Sequence, residues 1–155
     1  MKIGVVSDSH GDRLAIQRAA AAAGPVDLWL HAGDCSQDAS AFAGNSTVVA
    51  VAGNCDGRVP AKPDEFIALA GRKIWLTHGH RYQVKQNHQE IIWWARRYGV
   101  DIAVFGHTHV PLVEKTDGLL LVNPGSIAQP RRAYPTYAVI EISADDMTAE
   151  IRELK

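Results

Sequence analysis

The stretch KIGVVSDSHGDRLAIQRAAAAAG, Lys2–Gly24, decides the fold. Its opening, KIGVVSD, is an apolar run of strand length that breaks into the polar loop Asp8-Ser9-His10-Gly11. Asp12 can cap the helix that follows, RLAIQRAAAAAG, which ends at Gly24-Pro25; its Ala19–Ala23 run is simply good helix former. The next two segments repeat the first part of this pattern. DLWLHAGD breaks into Gly33-Asp34, and STVVAVAGN breaks into Gly53-Asn54. Three short buried strands therefore end in polar loops.

Farther along, FIALAGRKIWLTHGH reads as a hairpin around Gly71 with a polar end, and QEIIWWARRYG as a helix with Ile91, Trp94, Ala95 and Tyr98 on one face. DIAVFGHTH supplies another short buried strand ahead of a histidine pair. LVEKTDGLLLV turns at Asp117-Gly118, and TYAVIEIS and TAEIREL flank Asp145-Asp146. With helices early and hairpins late, this order predicts an α/β protein of two sheets packed face to face with helices outside, because every apolar face must be covered. Trp29 and Trp75 fall in strands and are expected in the core. Trp93 lies off the apolar helix face and is the candidate contact of a homo-oligomer. Cys35 reads as a small buried apolar residue, His31 as a hydrogen-bonded strand-end histidine rather than a ligand, and His88 as solvated.

A chain of 155 residues predicts one domain, residues 1–155, large enough to bury a substantial core. Its 21% charged residues and net charge of −1 give no electrostatic reason to expect a nucleic acid or an anionic membrane as partner, so any phosphate must be held locally. The N-terminus reaches Asp8 and His10 before a signal-peptide core could form, and no apolar run approaches the ~18 residues of a membrane span; a cytoplasmic location is expected. Cys35 and Cys55 fit neither a disulfide framework nor a CxxC site and are expected as free thiols.

The strand ends carry the chemistry. They deliver Asp8, Ser9 and His10, then Asp34, Asn54, His78, and finally His107 and His109. Loops beyond the carboxyl ends of strands in an open α/β sheet share one crevice. Carboxylate, amide oxygen and imidazole without thiolate clusters suit manganese, iron, zinc, nickel or cobalt, and argue against a structural zinc site. The seven donors Asp8, His10, Asp34, Asn54, His78, His107 and His109 are too many for one ion with an open position. They fit two ions sharing a bridging carboxylate, for which Asp34 is the natural residue. Alternate residues of an extended segment face the same side, so His107 and His109 can enter one site only if the chain wraps between two ions.

The motifs DSHG (Asp8–Gly11), GD (Gly33-Asp34), GNCD (Gly53–Asp56), THGH (Thr77–His80) and GHTH (Gly106–His109) resemble, in this order, those of the calcineurin-like metallophosphoesterases. In particular the chain looks like their small single-domain bacterial and archaeal phosphodiesterase branch, from residue 2 to about residue 143. The resemblance implies a four-layer α/β/β/α sandwich with two packed mixed sheets and metals at the strand ends. Carried over position by position, Asp8, His10, Asp34 and His109 would hold the first divalent ion. Asp34, Asn54, His78 and His107 would hold the second, with manganese foremost and nickel, zinc, iron or cobalt as alternatives. The implied reaction is hydrolysis of a small phosphodiester by in-line attack of a metal-bridging hydroxide on phosphorus.

Many members of that family carry histidine at the place of Cys55, where it serves as phosphate binder or proton donor to the leaving group. A thiol is a feeble hydrogen-bond partner beside an imidazolium, and general acid catalysis contributes about 10²–10⁴-fold. Activity is therefore expected to favour diesters with acidic leaving groups, unless the substrate, His80 or a metal-held water supplies the proton. The resemblance places a ligand at His78 and leaves His80 beside the substrate. NPGSIAQPRR (Asn123–Arg132) resembles a loop of the same branch, from which Arg131 could pair with a phosphate oxygen. The catalytic set is then Asp34, Asn54 and His80, and the substrate-binding set Cys55, His80 and Arg131. Specificity is expected from Ser36–Ala43, Val59–Glu65 and Arg81–Gln89.

A cysteine-based phosphatase is excluded, because it needs an arginine six residues after its nucleophile and Ala61 and Ala41 stand there. A noncatalytic metal-binding or scaffold module is the alternative reading, since a eukaryotic retromer subunit of the same fold acts as a scaffold; none of the seven donor positions is replaced here. A nuclease is disfavoured, because a small chain with no basic excess has little to grip a long polyanion.

Overall fold

The computed structural model describes every residue except 43, 45 and 133. The chain runs β1 (Lys2–Val6), α1 (Arg13–Ala23), β2 (Leu28–His31), β3 (Thr47–Ala50), β4 (Asp64–Leu69), β5 (Arg72–Thr77), α2 (Gln89–Tyr98), β6 (Ile102–Val104), β7 (Leu112–Thr116), β8 (Leu119–Asn123), β9 (Thr136–Ile142) and β10 (Met147–Glu153). Short 3₁₀ segments lie at Ser36–Phe42 and His80–Tyr82. One sheet has the order β10-β9-β1-β2-β3 and the other β4-β5-β6-β8-β7.

The second sheet has a parallel centre and antiparallel margins, whereas in the first the parallel block β1-β2-β3 reaches one edge and the antiparallel strands lie at the other. β1, β2 and β3 pair in parallel, as do β5, β6 and β8, whereas β9, β10, β4 and β7 join antiparallel. Parallel neighbours leave a sheet on the same side, so the loops after β1, β2, β3, β5 and β6 are delivered to one rim.

Burial explains the layering. Ile3, Val5 and Leu30 of the first sheet meet Ile74, Leu76, Val104 and Val122 of the second, forming the core between the sheets. On the outer face of the first sheet, α1 lays Ile16 and Ala19 over Trp29 and Val139. On the outer face of the second, α2 lays Ile91 and Ala95 over Trp75, Ala103 and Leu121. The result is the four-layer α/β/β/α sandwich that the family resemblance implies, with the two packed sheets and outer helices expected from the order of the elements. Each fully buried Ile or Leu in these layers contributes about 2 kcal/mol of transfer free energy. Asp12 caps α1 as expected, its side chain accepting from the Ala15 N–H at 2.9 Å.

Several expectations are refined by packing. Trp29 and Trp75 are core residues, 2% and 0% exposed. Tyr98, assigned to the buried helix face, is 39% exposed, because it caps Trp75 edge-on from the rim, ring centroids 5.2 Å apart. Trp93 is 55% exposed, with the Arg97 guanidinium 5.6 Å from its ring centre. Cys35 is half-buried rather than buried, because it opens the 3₁₀ segment that replaces the loop expected from Ser36; Ala43 of that loop lies outside the described residues. His88 is half-buried, its ring centroid 5.6 Å from that of Phe105, and not simply solvated. Among the described residues, no helix is long and apolar enough to cross a membrane.

Candidate metal centre

At the rim, the backbone turns sharply at the residues that carry the donors. Asp8, His10, Asp34, His107 and His109 have φ of 55°, 45°, 50°, 68° and 56°. A left-handed conformation costs a non-glycine residue about 1–2 kcal/mol, so each must be held by its surroundings. The holds are hydrogen bonds between loops: Asp8 N–H to Gly33 C=O at 2.9 Å, His10 N–H to Asp34 C=O at 3.2 Å, and Gly106 N–H to His78 C=O at 3.0 Å. Two motif glycines are required by close approach. A Cβ on Gly53 would stand 2.1 Å from Asp34 Oδ1, and one on Gly106 would stand 1.9 Å from Ser7 Oγ.

The left-handed turns at His107 and His109 provide the wrap that an extended segment would lack. His109 Nε2 lies 3.0 Å from Asp8 Oδ1, while the His107 ring lies 5.1 Å from that of His78. Around Asp8 Oδ1 also stand His78 Nε2 at 3.9 Å and His10 Nε2 at 4.0 Å. Asp34 Oδ2 faces His78 Nε2 at 3.3 Å and His10 Nε2 at 4.0 Å, one histidine from each of the two expected ligand sets. Asn54 Oδ1 lies 3.1 Å from His78 Nε2, and His10 and His109 bring their Nε2 atoms within 3.4 Å of each other. The seven predicted donors thus share one cluster. Asp8 with His10 and His109, and Asp8 with Asp34 and His78, each present ligand atoms within 4.8 Å of one another. His107 and Asn54 stand one step further out, joined through His78.

The donor chemistry fits a cation. Asp8 is 0% exposed; its Oδ2 accepts from Ser7 Oγ and from the His107 N–H, and its Oδ1 has no hydrogen-bond partner. His78 Nδ1 lies 2.6 Å from Ala32 C=O and His109 Nδ1 2.7 Å from Gln129 C=O. A carbonyl only accepts, so both rings carry their proton on Nδ1 and, when neutral, aim the Nε2 lone pair at carboxylate oxygens. Lone pairs facing lone pairs in a buried site need a positive charge between them. The titration follows the same logic. Burial opposes the Asp34 charge, yet the neighbouring His78 ring and the hydrogen bond from the Cys55 N–H hold its carboxyl well below the usual range. Burial likewise opposes a charged His78, but Asp34 and Asp8 raise it, and the adjacent Asp8 carboxylate raises His109. His107 is pushed down to about 4, first by burial and then by His78 and Lys85.

The remaining predicted site residues sit at the edge. His80 has its ring centroid 5.4 Å from that of His78 and 6.0 Å from that of His107, with a buried Nδ1 that has no partner; burial pushes its pKa down. Cys55 is exposed, its N–H donating to Asp34 Oδ1 at 2.8 Å and its Sγ accepting from Asn54 Nδ2 at 3.5 Å. Burial and Asp34 push the thiol pKa up, which keeps it protonated and a poor nucleophile. Arg131 is exposed, its backbone N–H donating to His109 C=O at 3.2 Å.

Sequence reasoning missed the residues that hold the loops. Asp56 accepts from the N–H groups of Asp34 at 3.0 Å, Gly53 at 2.6 Å and Ser36 at 2.5 Å, and from Ser36 Oγ at 2.9 Å. It ties GD to GNCD, and its signal was its place inside GNCD itself. Asp38 accepts from Ser9 Oγ and the Gly11 N–H, both at 2.7 Å, fastening the DSHG loop; nothing in its neighbourhood in the sequence marks it. His31 links the two. The Gly33 N–H donates to His31 Nδ1 at 3.2 Å, so Nε2 carries the proton and donates to Ser9 Oγ at 2.9 Å. His31 is thereby a hydrogen-bonded strand-end histidine, pushed down to about 4 by burial. Ser126 Oγ donates to Asp8 C=O at 2.8 Å from the far side.

Residues 1–145 match the model of the calcineurin-like phosphoesterase superfamily domain. The chain is 35% identical over 150 residues to the probable metallophosphoesterase YsnB of Bacillus subtilis, covering 96% of this chain and 88% of that one. It is 29% identical over 164 residues to phosphodiesterase MJ0936 of Methanocaldococcus jannaschii, with 91% and 93% covered. The crystal structure of a predicted phosphoesterase from Streptococcus pneumoniae superposes with a TM-score of 0.85 at 32% identity, covering 98% of this chain and 88% of that one. Five motif loops on the strand ends of a four-layer sandwich, matched over nearly the whole length, lead to one conclusion: this chain belongs to the calcineurin-like phosphoesterase superfamily.

Proposed function

We propose that this chain is a phosphodiesterase that hydrolyses small diesters with two divalent metal ions, manganese foremost, and that residues 1–155 act as one catalytic domain in the cytoplasm, where the free thiols Cys35 and Cys55 persist. The observation that carries this reading is Asp8 Oδ1, a buried carboxylate oxygen without a hydrogen-bond partner, ringed by the Nε2 atoms of His10, His78 and His109. Asp8, His10, Asp34 and His109 hold one ion; Asp34, Asn54, His78 and His107 hold the other, with Asp34 common to both. Ions so placed supply hydroxide at neutral pH and neutralise the phosphate oxygens.

The protein's own groups divide the remaining work. The carbonyls of Ala32 and Gln129 lock the rings of His78 and His109 with Nε2 inward, so no reorientation is needed during turnover. Asp56, Asp38 and Ser126 hold the loops rigid against their left-handed strain. Arg131 pairs with a phosphate oxygen at the open side. His80 contacts the substrate as a neutral ring, since it flanks His78 and His107 without being tied to a carboxylate and burial pushes its pKa down. Cys55, a neutral thiol over Asp34, contacts the substrate but gives up no proton, so diesters with acidic leaving groups react fastest.

Metal-stripped protein resupplied separately with Mn, Ni, Zn, Fe or Mg, and assayed on bis(p-nitrophenyl) phosphate, p-nitrophenyl phosphate and cyclic nucleotides, tests the proposal. Diester hydrolysis with manganese, at two ions per chain by elemental analysis, is the expected result. No hydrolysis with any ion overturns it and leaves the scaffold reading. Cys55→His should raise the rate chiefly for diesters with poor leaving groups; an unchanged rate for these removes the missing acid from the account.

A further inference from the structure

An open groove of about 640 Å³ runs off the loop that carries two of the candidate ligands. Thr108, between His107 and His109, lines it, as does Arg131, whose N–H is bonded to the His109 carbonyl. The groove is therefore continuous with the rim of the metal centre. Its volume falls in the range of about 300–1,000 Å³ typical of small-ligand sites.

What sets it apart is its charge. Lys85, Arg131 and Arg132 line it together with the half-buried His88, and no carboxylate does. Six cations elsewhere are paired with carboxylates: Lys62 with Glu65, Arg72 with Asp101, Arg81 with Asp64, Arg96 with Asp117, Lys115 with Asp146 and Arg152 with Glu150. Among the described residues, Lys85, Arg131 and Arg132 make no such pair. In a chain of net charge −1, three unmatched cations on one concave surface are a local anion site. α2 begins beside the same groove at Gln89, adding the partial positive end of its dipole. The Pro111 side of the wall is apolar and suits a sugar or base face.

We propose that this groove is a subsite for a second phosphate, so that the preferred substrates are nucleotide-sized diesters carrying a further phosphoryl group on the arm that lies along it. This rests on the phosphodiesterase reading above and narrows its substrate class. The metal centre takes the diester phosphorus; Lys85 and Arg132 take the second phosphate along the groove. Water adds across the P–O bond to the leaving group, and the second phosphate is retained unchanged.

The test uses two esters with the same reacting phosphorus and the same leaving group: the p-nitrophenyl ester of thymidine 5′-phosphate, with and without a 3′-phosphate. Metal-loaded protein should show kcat/KM at least about tenfold higher for the 3′-phosphorylated ester, chiefly through KM, as charge-assisted contacts of this kind predict. The advantage should shrink with added salt and should collapse in Lys85→Ala/Arg132→Ala. Equal kcat/KM for the two esters overturns the proposal. Binding separates this outcome from a failure of the enzymatic reading. Metal-stripped protein titrated with thymidine 3′,5′-bisphosphate and with thymidine 5′-phosphate should prefer the bisphosphate, and the double variant should lose that preference. Hydrolysis of neither ester alongside an intact binding preference sinks the enzyme and keeps the groove; hydrolysis without preference does the reverse.

Discussion

The hairpin turn Ala70-Gly71 and the loop Asp8–His10 both use left-handed backbone at non-glycine residues, Ala70 at φ 50° and Asp8 and His10 at 55° and 45°. The turn is exposed, and its left-handed geometry, shared with Gly71 beside it, matches the twist of the β4–β5 hairpin, so the conformation is set by the turn itself. The rim loop is buried around Asp8 and owes its shape to distant groups: the Gly33 carbonyl, Asp38 and Ser126. The same dihedral is local punctuation in one place and an imposed constraint in the other. Strain of the second kind persists only where tertiary contacts over-determine it, and here it coincides with five of the seven predicted donors.

Four experiments break or sharpen this comparison. Asp34→Asn keeps the size of the side chain and removes its charge. It should cost about 10³-fold or more in kcat/KM, equivalent to about 4 kcal/mol of transition-state stabilisation, and should release both metals together. Retention of one fully occupied metal in elemental analysis would refute the bridge. Asp56→Ala leaves the N–H groups of Ser36, Gly53 and Asp34 without their acceptor and should destabilise the fold by about 4 kcal/mol in urea unfolding. Metal affinity should fall about 10–100-fold; an effect as small as that of a surface turn substitution would show that the rim loops are locally determined after all.

His31 supplies a pH-dependent probe of the rim. Its folded-state pKa of about 4 lies below the free imidazole value of 6.5, so between these values the unfolded chain takes up a proton that the folded chain refuses. Stability from this group is complete above about pH 6.5 and falls on acidification to about pH 4, by about 3 kcal/mol. The wild type should therefore lose more stability than His31→Gln over that window in denaturant titrations; parallel pH profiles would remove His31 from the rim framework. The smallest effect belongs to the turn. Ala70→Asn converts Ala-Gly to the favoured Asn-Gly pair and should stabilise the protein by about 0.5–1 kcal/mol without changing kinetics. A change in activity would break the assumed independence of turn and rim.

The layers were legible because burial imposes periodicity. Asp12, the alanine run and the turn Asp117-Gly118 each announce their local structure within a few residues. Tyr98 and Cys35 were misplaced for one reason: their burial depends on neighbours across the rim rather than on their own helix or strand. Asp38 and Asp56 were overlooked because their work is to bond N–H groups that are distant in sequence, which leaves no pattern in residue type. The His107–His109 pair shows the divide within one motif. The residue types point to metal chemistry, while the different neighbours that the two rings reach depend on left-handed turns held by Asp8 and the Gln129 carbonyl.

By itself, then, the sequence determined which elements form, in what order, and which polar residues stand at the strand ends, since propensity, burial pattern and motif order are encoded locally. Tertiary structure alone decided that Asp8 Oδ1 is left without a partner, that His78 and His109 turn Nε2 inward, and that three unmatched cations share one groove. Those features arise from contacts between strands remote along the chain, and only the closed sandwich brings their atoms to bonding distance.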